Sequence, residues 1–335
     1  MVIKRIEKVI QAFALIVVVS LIATSGCGSK KAEKYDRMFF AFDTVISLSI
    51  YSAEDGEALL DKCVEMCTEI EEIFSRTKQE SELYRINHRD TDTVAISDEI
   101  RKVLEVGFQY HKLSEGLFDF TVAPLSDLWD FKSEDAVVPP EEMIAAAVKK
   151  VDADLVQLKG NQLVFQSRDT MIDLGALVKG YAADQMKTFL KQEGVEHGLL
   201  NLGGNVLTIG AKPDGQPWNI GIQKPFGEQN STADIVQVSD KSVVSSGIYE
   251  RYLEQDGVIY HHILNPRTGY SVDNEIAGVS VICDSSLEGD ALSTTCLMLG
   301  VEKATSLIQS RKDAEAVFVL KDGTVVKTRQ QATTP

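Results

Sequence analysis

Acid, lysine, hydroxyl and histidine side chains gather at a few turns of this chain, in spacings that suit a bound anion and a hard cation. The run Asp173-Leu-Gly-Ala176-Leu-Val-Lys179-Gly-Tyr-Ala-Ala-Asp184 follows the short apolar stretch 170–172, read as a strand, and opens an amphipathic helix pattern carrying Leu177, Val178, Tyr181, Met186 and Leu190. A helix N-terminus presents free N–H groups and a partial positive charge, so a strand-to-helix turn holding a lysine suits phosphate. The same residues also fit a plain capped helix with Asp173 as the cap and Lys179 in solvent. Asp290 and Thr294, four apart at the start of another helix pattern, put a carboxylate and a hydroxyl on one face, with Ser293 beside them. Oxygen ligands of this kind suit Mg²⁺ rather than zinc; Asp290 as the N-cap of that helix is the simpler alternative.

His261 and His262 end a strand pattern and enter the polar turn Asn265-Pro-Arg-Thr-Gly269. Strand neighbours face opposite ways, so one histidine at most serves a given site, where a general base near neutral pH is chemically reasonable. Asn201-Leu-Gly-Gly-Asn205 is a glycine turn after a strand with no helix behind it, which reads as a tight bend or as a close backbone approach to a ligand. Ser245 and Ser246 precede Gly247, but no G-x-S-x-G context surrounds them, which excludes a serine hydrolase here.

The elements that must position these groups follow from the hydrophobic period. Residues 35–51 read as two strands parted at Asp43, 55–76 and 98–113 as amphipathic helices, and 116–125 as a fixed loop ending at Pro124. A helix follows from Pro139-Pro140 to about 151, then strands at 155–158, 162–166 and 170–173. After the helix from 177 to about 193 come strands near 198–202, 205–209, 218–222, 234–238, 243–245, 258–264 and 277–283. Helices at 290–299 and 301–310 and a hairpin around Asp322-Gly323 complete the chain. Strands in runs without βαβ alternation give an α+β class, not a doubly wound sheet.

Charge and cysteines narrow the partners. The formal net charge is −16, which excludes a broad nucleic-acid surface and leaves any bound anion to local backbone N–H groups, a lysine or a metal. The start of the chain reads as a targeting segment: basic Lys4, Arg5 and Lys8, an apolar run over 9–23, then small residues up to Cys27. That run is short for a spanning helix. The small residues before Cys27 resemble a lipoprotein processing site, with 28–34 as a polar linker and 35–330 as the folded part on the extracytoplasmic face of the membrane. Cys63, Cys67, Cys283 and Cys296 show no zinc spacing and read as buried thiols.

Taken together, the motifs resemble the ApbE-type flavin transferases. The matching pieces are F-D-x-T-V-x-P-L at 118–125, D-L-G-A-L-V-K-G-Y-A-A-D at 173–184, N-L-G-G-N at 201–205, S-G-x-Y-E-R-Y at 246–252, H-I-L-N-P-x-T-G at 262–269 and D-A-L-S-T at 290–294. They lie in the family's order and span nearly all of the folded part; a lipoprotein leader is also typical of the family. The resemblance implies an ApbE-like fold with a FAD site between lobes. It also implies Mg²⁺-dependent transfer of FMN from FAD to a Ser or Thr hydroxyl of an acceptor flavoprotein, redox-pump subunits among them, with release of AMP. By the same resemblance the Ala176 carbonyl, Asp290, Ser293 and Thr294 hold Mg²⁺. FAD is contacted by Phe42, Leu117, Phe118, Asp119, Asp173, Lys179 and Leu264, and His262 with Asp290 carries the chemistry. Phe42-Asp43-Thr44 stands where the family often has Met-Gly-Thr, and Phe42 can pack on a ring. A membrane-anchored FAD-binding protein without transferase activity is the alternative.

Overall fold

The computed structural model describes residues 32–228 and 231–329. The proposed leader and most of the linker, Cys27 included, lie outside the described residues. The chain opens with β1 (Glu33–Ala41) and β2 (Thr44–Ser52), a hairpin, then α1 (Gly56–Phe74), α2 (Glu82–Asn87), β3 (Thr93–Ala95) and α3 (Asp98–Leu113). Next come α4 (Ala123–Trp129), α5 (Glu141–Val148), β4 (Val156–Leu158), β5 (Gln162–Phe165) and α6 (Val178–Gln192). Seven strands follow, β6 (His197–Leu202), β7 (Asn205–Ile209), β8 (Trp218–Gln223), β9 (Thr232–Val238), β10 (Ser242–Gly247), β11 (Tyr252–Gln255) and β12 (Val258–His261). The last part is β13 (Ile276–Cys283), α7 (Ser286–Leu299), α8 (Val301–Ser310), β14 (Glu315–Leu320) and β15 (Val325–Lys327).

An 8-stranded sheet in the order β1-β2-β6-β7-β10-β13-β14-β15 is the frame, and its pairings are antiparallel throughout. The class is α+β. Alternation explains the layers: Ile46, Leu48 and Ile50 of β2 and Leu200 and Leu202 of β6 turn to the face covered by α1, α6 and α7, where Leu60, Cys63, Met186, Leu190 and Leu292 complete one core. The opposite face, through Val243, Val317 and Val319, is covered by the β8–β9 ribbon, which brings Trp218, Ile220, Ile222, Val236 and Val238. β13, covered on both faces, is apolar nearly without interruption. Cys63, Cys67, Cys283 and Cys296 are free and buried, as expected of thiols on apolar faces. Burial pushes each of these thiols up to about 12.

The chain departs from the sequence pattern at several places, each with a local cause. Residues 170–173 do not form a strand: Asn87 satisfies the backbone of Ile172 on both sides, donating to its carbonyl at 2.8 Å and accepting from its N–H at 2.7 Å. Only a single bridge, Val122 with Met171, remains there. The loop expected over 116–125 ends at Val122, because Pro124 initiates α4 instead of terminating an extended piece. The strand expected over 258–264 stops at His261, whose backbone N–H and carbonyl are both taken by the Ser271 hydroxyl, at 2.6 and 2.7 Å. α2, β3 and β11 carry too few periodic positions to have been expected.

The most consequential difference concerns α7. It begins at Ser286, four residues before Asp290, with Ser285 as the N-cap. Asp184 of α6 completes that cap by accepting from the Ser286 N–H at 2.8 Å, the Leu287 N–H at 3.1 Å and the Ser285 hydroxyl at 2.7 Å. The free N–H groups at the helix start are therefore met without Asp290, which sits one turn in and is buried. Gly180 lets α6 approach this closely: a Cβ there would lie 2.3 Å from the Ser286 carbonyl oxygen.

Gly180→Ala raises helix propensity but drives a methyl into backbone, so a net loss of about 1–3 kcal/mol is expected. Urea unfolding of the variant checks this, and an unchanged midpoint would show that the two helices can separate freely.

Candidate active site

The DLGA turn that precedes α6 is built by neighbouring loops. The Asp173 N–H donates to the Phe120 carbonyl at 2.7 Å, and the Asp173 carboxylate accepts from the Gly175 N–H at 2.8 Å. Arg76 Nε lies 3.1 Å from Asp173 Oδ2 and ties the same turn to the segment just after α1. Leu177 takes the N-cap position without a side-chain bond, and of the first N–H groups of α6 that of Val178 reaches the Leu174 carbonyl at 3.1 Å and that of Gly180 the Asp290 carboxylate at 2.6 Å. Ala176 is exposed on this turn.

In the first turn of α6, Lys179 reaches across to the bend between β6 and β7. Its ammonium donates to the Gly203 carbonyl at 3.0 Å. Gly203 and Gly204 form a two-residue hairpin bend with φ of 59° and 91°, a backbone shape that glycine adopts without Cβ strain. Gly203 also abuts Thr44, at the base of the β1–β2 bend formed by Phe42 and Asp43. Those two residues have φ of 52° and 57°, unusual for a bulky side chain such as Phe42. The Phe42 N–H is held by Glu71 at 2.7 Å, and the Asp43 carboxylate pairs with Lys132.

Asp290 lies beneath this rim. Gly180 donates its N–H to Oδ2 at 2.6 Å and Asn205 its amide to Oδ1 at 3.0 Å. Burial pushes the Asp290 carboxyl upward from the usual carboxylate range, against the opposing pull of Lys179 and the two hydrogen bonds. Ser293 is fully buried and committed: it donates to the Asp290 carbonyl at 3.2 Å and shares a bond with Ser246 at 2.8 Å. Thr294 is partly exposed, its hydroxyl 3.4 Å from Ser246.

A carboxylate offers about four lone-pair sites, and two of those on Asp290 are used. Among the described residues no three His, Cys, Asp or Glu side chains gather as a metal site. A cation here would instead meet one buried, under-compensated carboxylate, hydroxyl oxygens and an exposed backbone carbonyl, a hard-oxygen set that fits Mg²⁺ with phosphate and water.

His262, just past the end of β12, and His261 bond different partners. The His262 Nδ1 lies 3.2 Å from the Arg251 carbonyl. A carbonyl only accepts, so Nδ1 carries the proton and Nε2 keeps a free lone pair. Burial, with repulsion from Arg251 and Lys179, pulls this imidazole down to about 3. His261 bonds the Val272 carbonyl at 3.0 Å and is pulled down to about 4, mainly by burial. It lines a separate groove of about 1100 Å³ with Phe226, Ile248, Val258 and Tyr260.

The other expected contacts divide. Asp119 is turned into its own loop: its carboxylate accepts from the Thr121 N–H at 2.7 Å, the Thr121 hydroxyl at 2.5 Å and the Ala153 N–H at 3.1 Å. Phe118 is packed in the core, with its N–H on the Ser114 hydroxyl at 2.8 Å. Leu117 is half-buried in the same loop, which Arg267 ties to the 262–269 turn through the Glu115 carbonyl. Leu264 is buried against Leu125 and Trp129. The structure thus gathers Lys179, Asp290, Thr294 and His262 with the Phe42 bend, and leaves Phe118, Asp119 and Leu264 as packing or loop-fixing side chains whose backbones alone could meet a ligand.

Sequence reading missed Asn205, Glu250 and Arg251 as individuals, although all three stand inside the motifs it quoted. Glu250 sits beside Gly204, exposed at the rim of the bend.

The histidines set an acid limit. Unfolded, both take protons at about 6.5; folded, only at about 4 and 3. The stability they supply is complete above pH 6.5 and is lost as pH falls towards 3. Urea midpoints at pH 7 and pH 4 should therefore differ less for the His261→Asn/His262→Asn double variant than for the parent; equal differences would contradict neutral buried imidazoles.

Comparison with known proteins matches this chain and its fold to one family. The model of the ApbE family matches residues 42–318. The chain is 34% identical over 289 residues to a FAD:protein FMN transferase of Klebsiella pneumoniae, covering 85% of this chain and 89% of that protein. A FAD:protein FMN transferase of Treponema pallidum is 29% identical over 327 residues, 92% of this chain and 90% of the relative. Among solved structures, the flavin transferase ApbE of Vibrio cholerae superposes with a TM-score of 0.80 at 26% identity, over 88% of this chain and 96% of that one. The ApbE protein of Thermotoga maritima gives 0.80 at 29% identity, over 88% and 97%.

Proposed function

The chain belongs to the ApbE family, and on that premise we propose that it is an enzyme moving FMN from FAD onto a Ser or Thr hydroxyl of an acceptor flavoprotein, with release of AMP. The acceptor oxygen forms the new bond to the FMN phosphorus. The bond from that phosphorus to the oxygen bridging to AMP breaks, and the hydroxyl proton leaves to a base. The observation that carries this reading is the convergence of Lys179 and buried Asp290 on one hairpin bend, Lys179 on the Gly203 carbonyl and Asp290 on the Asn205 amide, each at 3.0 Å.

Each residue has a task of its own in such a reaction, which rests mainly on positioning and charge neutralisation. Lys179, fixed by the Gly203 carbonyl, offers its remaining N–H bonds to phosphate oxygens. The N-terminus of α6, of which Lys179 is the second residue, adds its partial positive charge toward the same anion. Asp290, the Thr294 hydroxyl and the Ala176 carbonyl would hold Mg²⁺, with Ser293 buttressing Thr294 from the buried side. The ion would supply neutralisation of the pyrophosphate charge. His262 presents Nε2, with Nδ1–H anchored on Arg251, to receive or orient the acceptor proton. Negative phosphate close by favours the protonated ring and so offsets the depression that burial causes. Phe42, held in its bend by Glu71, would pack on a flavin ring.

Mixing the purified protein with FAD, MgCl₂ and an acceptor domain of the membrane redox-pump type should yield FMN covalently attached to the acceptor, read by mass spectrometry. FAD binding without any adduct would favour the alternative, a FAD-binding protein without transferase activity. His262→Ala should slow transfer by about 10²–10⁴-fold while FAD still binds; unchanged turnover would remove the histidine from the chemistry. The anchor reading of the first residues has its own check. Cys27→Ala should move the protein from the membrane fraction to the soluble one, and continued membrane retention would mean that no lipid on Cys27 holds it.

A further inference from the structure

We propose that Asn205 is the positioning residue for the Asp290 carboxylate, and that the single β6–β7 hairpin thereby sets the spacing between the lysine and the carboxylate of the site. The inference rests on the reading that Asp290 holds the divalent cation.

Asn205 is the first residue of β7 and wholly buried. A directed chain of hydrogen bonds fixes its amide. The Ser242 hydroxyl donates to Ser286 at 2.9 Å, and the Ser286 hydroxyl donates to Asn205 Oδ1 at 2.7 Å. The Asp290 carboxylate only accepts, so a flipped amide would set two acceptor oxygens face to face, and Nδ2 must point at Asp290 Oδ1, 3.0 Å away. Gly180 takes the other oxygen with its N–H at 2.6 Å. A carboxylate held at both oxygens by fixed donors loses rotation about its terminal bond, and its two unused lone-pair directions are set before any cation arrives.

The same bend has a second function. Two residues before Asn205, the Gly203 carbonyl accepts from Lys179 at 3.0 Å. Gly203 and Gly204 close the hairpin in which Leu202 pairs with Asn205. Lys179 and Asp290 belong to different helices, yet each is tied to this one bend, so movement of either helix is opposed by the hairpin. Aspartate at 205 would lack the amide donor, and a longer glutamine would not fit the fully enclosed position. Partners of this kind around metal ligands are worth about 10–100-fold in metal affinity.

The test uses the full-length protein with saturating FAD and titrated MgCl₂, read by the Mg²⁺-dependent rise in melting temperature and by the Mg²⁺ concentration for half-maximal FMN transfer. Asn205→Ala should need about 10–100-fold more Mg²⁺ in both readings, keep its affinity for FAD, and regain turnover at high Mg²⁺. Ser286→Ala, which retains the amide but removes the hydroxyl that anchors its oxygen, should show a smaller shift in the same direction. An Asn205→Ala protein that responds to Mg²⁺ as the parent does overturns the proposal. So does an Asn205→Ala protein that loses FAD binding and Mg²⁺ response alike while Ser286→Ala is unaffected, since the residue would then be structural only. Asp290→Asn separates the underlying reading: if that variant keeps the full Mg²⁺ response, Asp290 is not the cation's ligand, whatever Asn205 does.

Discussion

A carboxylate held away from water is the constraint on which the rest of this structure depends. Asp290 is only 5% exposed and sits inside a helix rather than at its end. An isolated charge there would be expensive, and the fold answers with two donors and a nearby lysine. Supplying the Gly180 donor requires α6 and α7 to touch backbone to backbone. That contact in turn requires glycine at 180 and a different acid, Asp184, to meet the helix N-terminus. The two aspartates thus divide the work: one satisfies the helix, and the other is left with lone pairs to spare.

The antiparallel sheet serves this arrangement through its hairpin bends. The β6–β7 bend receives Lys179 and launches Asn205, while the β1–β2 bend lies against it through Thr44 and Gly203. Both bends place residues at positive φ, in one case a phenylalanine. A bulky side chain in that region costs energy and persists only where its surroundings fix it, here a hydrogen bond to Glu71 on α1. Strain at the rim and rigid pairing beneath it belong together, because the sheet supplies the reference frame that loops could not.

Much of the fold was legible in the residues. Wherever apolar positions ran long at one period, as in α1, α3, α8, β7 and β13, the element lies within a residue or two of where the pattern puts it. The failures were short or locally overridden. Residues 170–173 have strand-like composition, but one buried side chain, Asn87, takes the hydrogen bonds that a ladder would need. Asp290 matched an N-cap by composition, and only the approach of α6, bringing Asp184, moved the helix start to Ser286. The site was legible as motifs and not as roles. Asp119 and Lys179 looked equivalent as polar motif residues, yet one is saturated by its own loop and the other spans two elements.

The sequence by itself determined the α+β class, the strongly acidic net charge, the burial of four thiols, and the set of motifs that carry the family resemblance. Those properties follow from composition and short-range period, which are local. Only the tertiary structure decided which polar groups still have bonding capacity left. That depends on partners far away in sequence: Asp290 is met by Gly180 and Asn205, 110 and 85 residues distant, and His262 has its tautomer set by the Arg251 carbonyl across the β11–β12 hairpin. A side chain's chemistry is fixed by the donors, acceptors and charges that surround it, and long-range packing brings these together.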